Sequence, residues 1–353
     1  MRTMQHPNHV AEQLASRRGD RHQSGIWPAI ELEILKTLGV FRSMLPTEFG
    51  GTGLDYDELL RDYRTIASGS LAVALAMTQR DGACDLIARS DNPEIPRRLL
   101  PAHARGDLFA SIGISQLTTS KGADLPKLRA VADGPDFVLH GFMPWVTGAK
   151  WCDQIVTAAV MDDGSQIVAC LERDDAGLEV HEPMKLLALQ ASHTSRVDCH
   201  GLSVPVDRLL RKPHPAALSD RAPVKALTVS AVGMGLADSI RGELDKIRAR
   251  QPDPMQNALA RLDHQFQAVE AQFAGAARQV VEDGTDESSP TLRVAVNTLV
   301  THLGIALVNM SKGRGFILGH PAEQLMREAL FFQVWSSPPG TQSATLDRLL
   351  LGQ

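Results

Sequence analysis

The middle of the chain contains the stretch Gly141-Phe-Met-Pro-Trp145-Val-Thr147-Gly148, which follows a β-rich run. In an extended strand, residues two positions apart point to the same face. Trp145 and Thr147 can therefore present an indole and a hydroxyl side by side. Such a pair commonly packs inside a hydrophobic core, but it can also form a wall for a flat ring and give one ring heteroatom a hydrogen bond. The stretch alone leaves both interpretations open.

Residues 107–212, which surround this stretch, have the pattern of a β domain. Two aspartate-rich turn signals ending in Gly164 and Gly177 separate short β-rich runs. These runs are Phe137–Gly141, Ile155–Val160 and Gln166–Leu171. The sequence therefore predicts a central β domain over residues 107–212.

Residues 1–106 predict an N-terminal helical domain. Leu59, Leu60, Tyr63, Ile66 and Ala67 recur at three- and four-residue steps, and we expect the same helix to continue as a buried helix from Ser68 to Ala76. Residues 1 to about 24 are polar, so we expect them to be frayed or only loosely docked.

Residues 213–353 predict a C-terminal four-helix bundle. A seam of apolar residues at alternating steps of three and four is typical of an antiparallel bundle helix. Its members are Leu259, Leu262, Phe266, Val269, Phe273, Ala276 and Val280. The segment from Val294 to Met310 is almost entirely apolar or small, which indicates a buried helix.

Composition excludes several function classes. The 353 residues carry a net charge of −5 without a basic stripe, so we expect no nucleic-acid partner. The four cysteines are far apart in sequence, which argues against a metal site or a disulfide framework and fits a reducing compartment. No run reaches 18 apolar residues, and we therefore expect no membrane span and a cytoplasmic protein.

Five ordered segments resemble the acyl-CoA dehydrogenase family of flavoproteins, over almost the whole chain from about Leu38 to about Leu350. The resemblance implies the family's fold, with an N-terminal helical domain, a central β barrel or sandwich and a C-terminal four-helix bundle. The similar segments are Leu45-Pro-Thr-Glu-Phe-Gly-Gly-Thr-Gly-Leu54, Gly141-Phe-Met-Pro-Trp-Val-Thr-Gly148, Lys185-Leu-Leu-Ala-Leu-Gln-Ala-Ser192 with Val204–Leu210, Lys312-Gly-Arg-Gly-Phe316, and His320-Pro-Ala-Glu-Gln-Leu-Met-Arg-Glu-Ala329.

The resemblance implies a flavin site in the β domain. Trp145 would lie against the isoalloxazine ring, and the Thr147 hydroxyl would bond near its N5 atom. Ile114 and Ser115 would reach the pyrimidine edge of the ring, although Ser115 can also be a strand-end hydroxyl that bonds backbone. The following loop, residues 117–124, is longer than the family pattern and lacks its Pro and Gly-Ser.

The resemblance also implies a contribution from the C-terminal bundle of a neighbouring subunit. Asn309 would supply an amide, while Gly313 and Gly315 would let backbone amides approach a pyrophosphate. A helix C-cap is the alternative role for the two glycines. The chain would then form a homodimer or homotetramer, with FAD as its cofactor. Gln190, at a position where the family commonly has arginine, leaves FMN as the alternative.

The chain departs from the family at the catalytic base. Most members have a glutamate in a Tyr-Glu-Gly-Thr segment near the C-terminus, and this chain places Ser336 or Pro339 there, depending on the alignment. No Asp or Glu lies between Glu328 and Asp347. Neither a serine nor a proline side chain can act as the base that removes an α-proton.

Three functions are consistent with these observations. The first is a flavin-dependent oxidoreductase that acts on the CH–CH group of an acyl-CoA or a related acyl chain. The second is a flavin-dependent monooxygenase on the same fold, which needs no α-proton base. The third is a partner subunit that has kept the fold and lost the chemistry. The catalytic residues remain unassigned from sequence.

Overall fold

A computed structural model describes residues 7–53, 55–118, 127–219, 224–283 and 288–351. Their elements follow the predicted order of helices, strands and helices. The first group comprises α1 (Pro7–Ser24), α2 (Ala29–Thr37), α3 (Tyr56–Gly69), α4 (Leu71–Ala88) and α5 (Glu94–Arg105). Short 3-10 turns at Val40–Arg42 and Thr47–Phe49 connect α2 to α3.

Helix α1 packs firmly against α3, so the expectation of a loosely docked segment was wrong for residues 7–24. Val10 and Leu14 lie four residues apart on one face and are buried. The approach is close, because a Cβ atom added at Gly69 would lie 2.6 Å from Leu14 Cβ and 2.7 Å from the Ala11 carbonyl oxygen. Two apolar residues and a facing glycine are enough to dock an otherwise polar helix.

The predicted continuation of one helix through Ser68–Ala76 was also wrong, because the chain turns at Ser70. This residue is extended (φ −155°, ψ 115°), and its side chain accepts a hydrogen bond from the Val73 backbone N–H. Serine is a preferred N-cap, so it ends α3 and starts α4 where hydrophobic periodicity alone shows no break.

The central part of the chain forms one sheet. Its strands are β1 (Ala110–Gly113), β2 (Leu128–Asp133), β3 (Asp136–Val146), β4 (Gln154–Val160), β5 (Gln166–Glu172), β6 (Leu178–Val180), β7 (Ser195–Val204) and β8 (Leu209–His214). The order across the sheet is β6-β7-β3-β2-β4-β5-β8, and β1 pairs with β4. Strand β4 runs parallel to β1 and β2, whereas the other pairs are antiparallel.

Strand β3 carries a bulge immediately before the Trp145 position. Met143 pairs with Val197 and Val146 with Ser195, so three steps along β3 face two steps along β7. The extra residue falls at Pro144 or Trp145, and proline suits such a point because it has no N–H to donate to the ladder. A bulge re-aims a neighbouring side chain, and Trp145 is 47% exposed.

The C-terminal helices are α6 (Val224–Arg248), α7 (Asp253–Asp283), α8 (Ser289–Ser311), α9 (Pro321–Phe331) and α10 (Pro339–Leu351). The stretch Ser289–Phe316 is long and apolar enough to cross a membrane, with a mean hydropathy of 1.5. However, 67% of its most apolar window is buried inside the protein, as in the core helix of a bundle. All four cysteines are free and buried.

The docking of α1 can be tested by replacing Leu14 with alanine. We expect this change to lower the free energy of unfolding by about 2–4 kcal/mol, because it empties a fully buried site. The exposed neighbour Glu12→Ala is the control and should change it by less than about 0.5 kcal/mol. Urea unfolding of both variants gives the comparison, and equal stabilities would contradict a docked α1.

Candidate active site

The ends of β1 and β3 meet and form the centre of the candidate site. The Ser111 hydroxyl of β1 donates a hydrogen bond of 2.6 Å to the Thr147 carbonyl oxygen, just beyond β3. Gly113 permits the approach, because an added Cβ atom would lie 2.6 Å from Met143 Sδ and 3.1 Å from Val146 Cγ2. The predicted residues Ile114, Ser115, Trp145 and Thr147 therefore belong to two adjoining segments.

Trp145 presents its indole outward at the end of β3. The side chains on either side of the bulge, Met143 and Val146, are fully buried, whereas Trp145 is about half exposed. The indole is thus not sealed in the core, and its face remains available to a flat ring. This exposure excludes the simplest form of the core-packing interpretation.

Thr147 lies at the end of a chain of three hydroxyl groups. Its Oγ1 atom is 3.2 Å from Thr194 Oγ1, which is in turn 2.8 Å from Ser192 Oγ. If each hydroxyl donates toward Thr147, the Thr147 proton is free for a further acceptor. Thr147 itself is only 7% exposed, because β3 ends at Val146 and the bulge interrupts the alternation on which the prediction relied. Contact of Trp145 and Thr147 with one ring stays a prediction.

The turn after β1 offers a polar group without a partner. Ser115 Oγ is buried, and it has no hydrogen-bond partner within the part of the chain that the structure describes. Ile114 beside it is buried as well. The neighbouring Gln116 fixes the turn, because its amide donates to the carbonyl oxygens of Gly113 and Ala158, both at 3.0 Å. A buried hydroxyl without a partner is a candidate for a hydrogen bond to a ligand. Of the loop at 117–124, residues 119–124 lie outside the described residues.

Asn309, Gly313 and Gly315 lie elsewhere, at the end of α8 and in the 3-10 turn Lys312–Phe316. A Cβ atom added at Gly313 would meet nothing within 4 Å, whereas one at Gly315 would lie 3.1 Å from the Val308 carbonyl oxygen. Gly315 is thus explained by packing inside the chain. Gly313 is exposed, and its surroundings are open.

The C-cap alternative does not account for Gly313 and Gly315, because the residue with positive φ at this helix end is Lys312. Its angles (φ 53°, ψ −148°) fall in a region that glycine normally occupies. Backbone strain is therefore concentrated beside Gly313. Strain of this kind is common where backbone contacts a ligand or a partner chain.

The segment after α9 contains both predicted base positions and no carboxylate. Ser336 has a left-handed backbone (φ 46°), and Pro339 begins α10. Arg293 of α8 holds the segment from inside the bundle, because its Nη2 donates to the carbonyl oxygens of Phe332 and Trp335 at 3.2 and 2.8 Å. Burial lowers the pKa of Arg293 to about 9, so the guanidinium stays charged at neutral pH.

Sequence reasoning missed Ser111, Gly113 and Arg293. Gly113 carried a usable signal, because a glycine inside a strand often marks close backbone approach. Ser111 and Arg293 act through partners distant in sequence, and no local pattern reports such partners. Gln190 is structural here: its amide accepts from the Leu186 N–H at 2.8 Å and donates to the Met184 carbonyl oxygen at 3.0 Å.

These residues fit the flavin that the resemblance implies. An exposed indole, an unpaired hydroxyl at Ser115 and a hydroxyl chain ending at Thr147 come from two joined segments. A tricyclic ring system with several heteroatoms needs one stacking surface and a few hydrogen-bonding groups at its edge. Trp145 would supply the first, and Ser115 and Thr147 the second.

Comparison with known proteins finds similarity to acyl-CoA dehydrogenases. The family model described as "Acyl-CoA dehydrogenase, N-terminal domain" matches residues 7–107. The chain is 25% identical over 373 aligned residues to a probable acyl-CoA dehydrogenase, FadE25, of Mycobacterium leprae, covering 96% of this chain and 92% of that protein. It is 22% identical to the probable acyl-CoA dehydrogenase YngJ of Bacillus subtilis, covering 93% and 91%. The chain is similar over almost its whole length to proteins of the acyl-CoA dehydrogenase family.

The fold agrees with solved structures of this family. The structure of butyryl-CoA dehydrogenase from Megasphaera elsdenii superimposes with a TM-score of 0.85 at 16% identity, covering 99% of this chain and 98% of that chain. The predicted fold class is therefore confirmed. The chain has no acidic residue in the segment 329–346, where the resemblance implies a catalytic glutamate.

The junction of β1 and β3 can be tested at Gly113. We expect Gly113→Ala to destabilise the protein by about 1–3 kcal/mol, because its new methyl group would overlap the Met143 thioether. Gly82→Ala is the matched control, since its Cβ would lie 3.7 Å from the nearest atom, Ile112 Cδ1. Chemical unfolding measures both, and an unchanged stability of Gly113→Ala would contradict the close approach.

Proposed function

We propose that the chain is a flavin-dependent oxidoreductase that acts on the CH–CH group of an acyl-CoA or a related acyl chain. The observation that carries the proposal is the exposed Trp145 indole on a bulge beside a fixed turn with an unpaired Ser115 hydroxyl. Similarity over almost the whole chain to proteins named as acyl-CoA dehydrogenases supports the choice of substrate class.

The chain's own residues bind and orient in this proposal. The Trp145 indole packs against the ring system, and dispersion and stacking set the plane of the ring. Ser115 bonds one edge, while Thr147 directs its proton away from Thr194 and toward the ring. A bound flavin would accept the hydride that leaves the β-carbon of the substrate. By holding the acyl chain beside that ring, the protein would promote the transfer through proximity and orientation.

FAD is the cofactor that we favour over FMN. The open space around Gly313 suits a backbone that approaches a pyrophosphate, a group that FMN lacks. Gln190 is engaged by the backbone of its own loop and does not supply the positive charge that an arginine would bring. FAD should therefore bind without an ionic contact at this position.

The α-proton is the point at which this chain departs from its family. Removal of that proton requires a positioned base, because the carbon acid is weak. The segment 329–346 offers only neutral side chains, and Ser337 is buried with its hydroxyl unpaired among the described residues. We infer that the proton leaves through a group outside this segment, and that the step is slower than with a glutamate.

The proposal predicts that purified protein binds about one flavin per chain, and that Trp145→Ala weakens flavin binding at least about tenfold by removing the stacking surface. Trp151→Ala is the matched control. Trp151 is similarly exposed, but its ring already stacks on Trp27, and its Nε1–H donates to His193 Nδ1 at 2.8 Å. Visible absorption, with thermal unfolding to verify the fold of each variant, provides the measurement.

Anaerobic titration of the flavin-loaded protein with acyl-CoA thioesters tests the reaction itself. We expect the flavin absorption to bleach in a substrate-dependent way, in proportion to the enoyl product formed. Turnover only with a reductase and oxygen would contradict the proposed reaction while keeping the flavin site. A folded protein that takes up neither FAD nor FMN would exclude both the proposed reaction and the flavin site.

We also propose that the chain is a homodimer or homotetramer and works in the cytoplasm. Phe316, Ile317 and Leu318 form an apolar patch beside Gly313 and are 79%, 60% and 80% exposed. Three consecutive large apolar side chains in water favour coverage by another surface. A second copy that covers this 316–318 patch would also bring Gly313 to the neighbouring flavin. The buried free cysteines suit a reducing compartment.

This arrangement predicts that Leu318→Asp shifts the assembly toward the monomer and weakens flavin binding at the same time, because one surface serves both. Leu187→Asp is the control, since Leu187 is comparably exposed (66%) but lies in the loop before β7. Sedimentation velocity gives the oligomeric state. A wild-type monomer, or a Leu318→Asp variant that keeps its assembly, would contradict the proposal.

A further inference from the structure

A group of histidines and carboxylates lies on the outer face of β6 and β7, apart from the residues assigned above. Leu178, Val180, Val197 and Cys199 point inward and pack in the core of the β domain. The alternate positions point outward. They carry Glu179 and, just beyond β6, His181, and on β7 they carry Arg196, Asp198 and His200.

Strand register brings these side chains together. Glu179 lies directly opposite Asp198 across the β6–β7 ladder. The backbone N–H groups of His181 and His200 donate to the carbonyl oxygens of Arg196 and Gly177, which extends the pairing past both ends of β6. Glu179 and His181 therefore form one row of donor atoms, and Asp198 and His200 form the other.

The donor atoms of Glu179, His181 and Asp198 lie close enough together to share one metal ion. His181 Nε2 is 3.0 Å from Asp198 Oδ2 and 3.9 Å from Glu179 Oε1, while His200 Nε2 is 2.9 Å from Glu179 Oε2. In a tetrahedral zinc site with bonds of about 2.0–2.1 Å, neighbouring ligand atoms are about 3.3 Å apart. Ligand atoms of Glu179, His181 and Asp198 all lie within 4.8 Å of one another. His200 lies outside that group of three and reaches it through Glu179.

Arg196 orients the least mobile ligand. It donates from Nε and Nη2 to the two oxygens of Asp198, at 2.6 and 3.1 Å, and its guanidinium lies 3.8 Å from the centre of the Phe142 ring. Burial acts to raise the pKa of Asp198, but hydrogen bonds from Arg196 and His181 outweigh it and lower that pKa. The carboxylate is thus ionised and fixed, as carboxylate ligands of metal ions usually are.

We propose that this face binds one Zn²⁺ ion through His181 Nε2, Asp198 Oδ2, a Glu179 oxygen and His200 Nε2. Two imidazoles and two carboxylates form a borderline donor set that suits zinc better than Mg²⁺ or Ca²⁺, which prefer oxygen ligands alone. The two carboxylates carry two negative charges, and Arg196 leaves a net charge of about −1 to attract the cation.

The bound ion would join the three-residue strand β6 to β7 at the edge of the sheet. Each histidine Nε2 now faces a carboxylate oxygen and must offer its lone pair to the metal, so the ring proton moves to Nδ1 or is released. His140 of β3 lies opposite His200 and is exposed, and it is the nearest additional donor in the strand register.

Titration of the purified full-length protein with Zn²⁺, and with Co²⁺ as a spectroscopic probe, tests the proposal. We expect one saturable site per chain, and visible Co²⁺ bands with the intensity typical of tetrahedral coordination. His181→Ala and His200→Ala should each weaken binding at least about tenfold, the usual cost of disturbing a metal's coordination. The His181 and His200 side chains are 40% and 60% exposed, so these variants should fold.

His264→Ala, an exposed histidine on α7, is the matched control and should bind Zn²⁺ as the wild type does. Binding that His181→Ala leaves unchanged would show an adventitious ion only, and the proposal would be wrong. Absence of saturable binding near neutral pH would overturn it equally. The readouts do not depend on flavin or on acyl-CoA turnover, so the outcome is independent of the function proposed above.

Discussion

The close approach of β1 to β3 is the constraint on which the site depends. A glycine at position 113 lets the two strands touch, and the hydrogen bond from Ser111 to the Thr147 carbonyl oxygen fixes their ends. Because the bulge at Pro144 or Trp145 lies at the same place, Trp145 turns outward while Met143 and Val146 stay in the core. The backbone geometry of these two strands thus positions the indole and the hydroxyl groups that we propose for the flavin site.

The sequence predicts this fold well where a hydrophobic pattern repeats over many residues. It predicts the fold poorly where a single residue determines a helix boundary or a packing contact. The bundle helices α7 and α8 and strands β4 and β5 repeat over enough residues for the pattern to determine their type. The break at Ser70 rests on one side-chain hydrogen bond, and the docking of α1 rests on Leu14 facing Gly69. Neither feature repeats along the sequence, so hydrophobic periodicity does not reveal the helix break or the docking of α1.

The candidate site shows the same division. Trp145, Thr147, Ile114 and Ser115 could be chosen from sequence because a family resemblance carries them position by position. The exposure of Trp145 could not be predicted from sequence, because it depends on a bulge that adds one residue to β3 against β7. A strict two-residue alternation assigns Trp145 and Thr147 to one face, whereas the structure buries Thr147 and exposes Trp145. Bulges are set by register with a partner strand, which local sequence does not reveal.

The segment after α9 is held in place although it has no acidic side chain. Arg293 holds this segment through the carbonyl oxygens of Phe332 and Trp335, and these contacts are independent of the side chains at positions 336 to 339. A buried guanidinium is costly to desolvate, yet here it has no carboxylate partner among the described hydrogen bonds, and its Nε and Nη1 are unpaired. The cation is therefore satisfied in part by the loop backbone. A substitution at positions 336 to 339 leaves these Arg293 contacts in place. The side chains there can therefore change without unfolding the helical bundle.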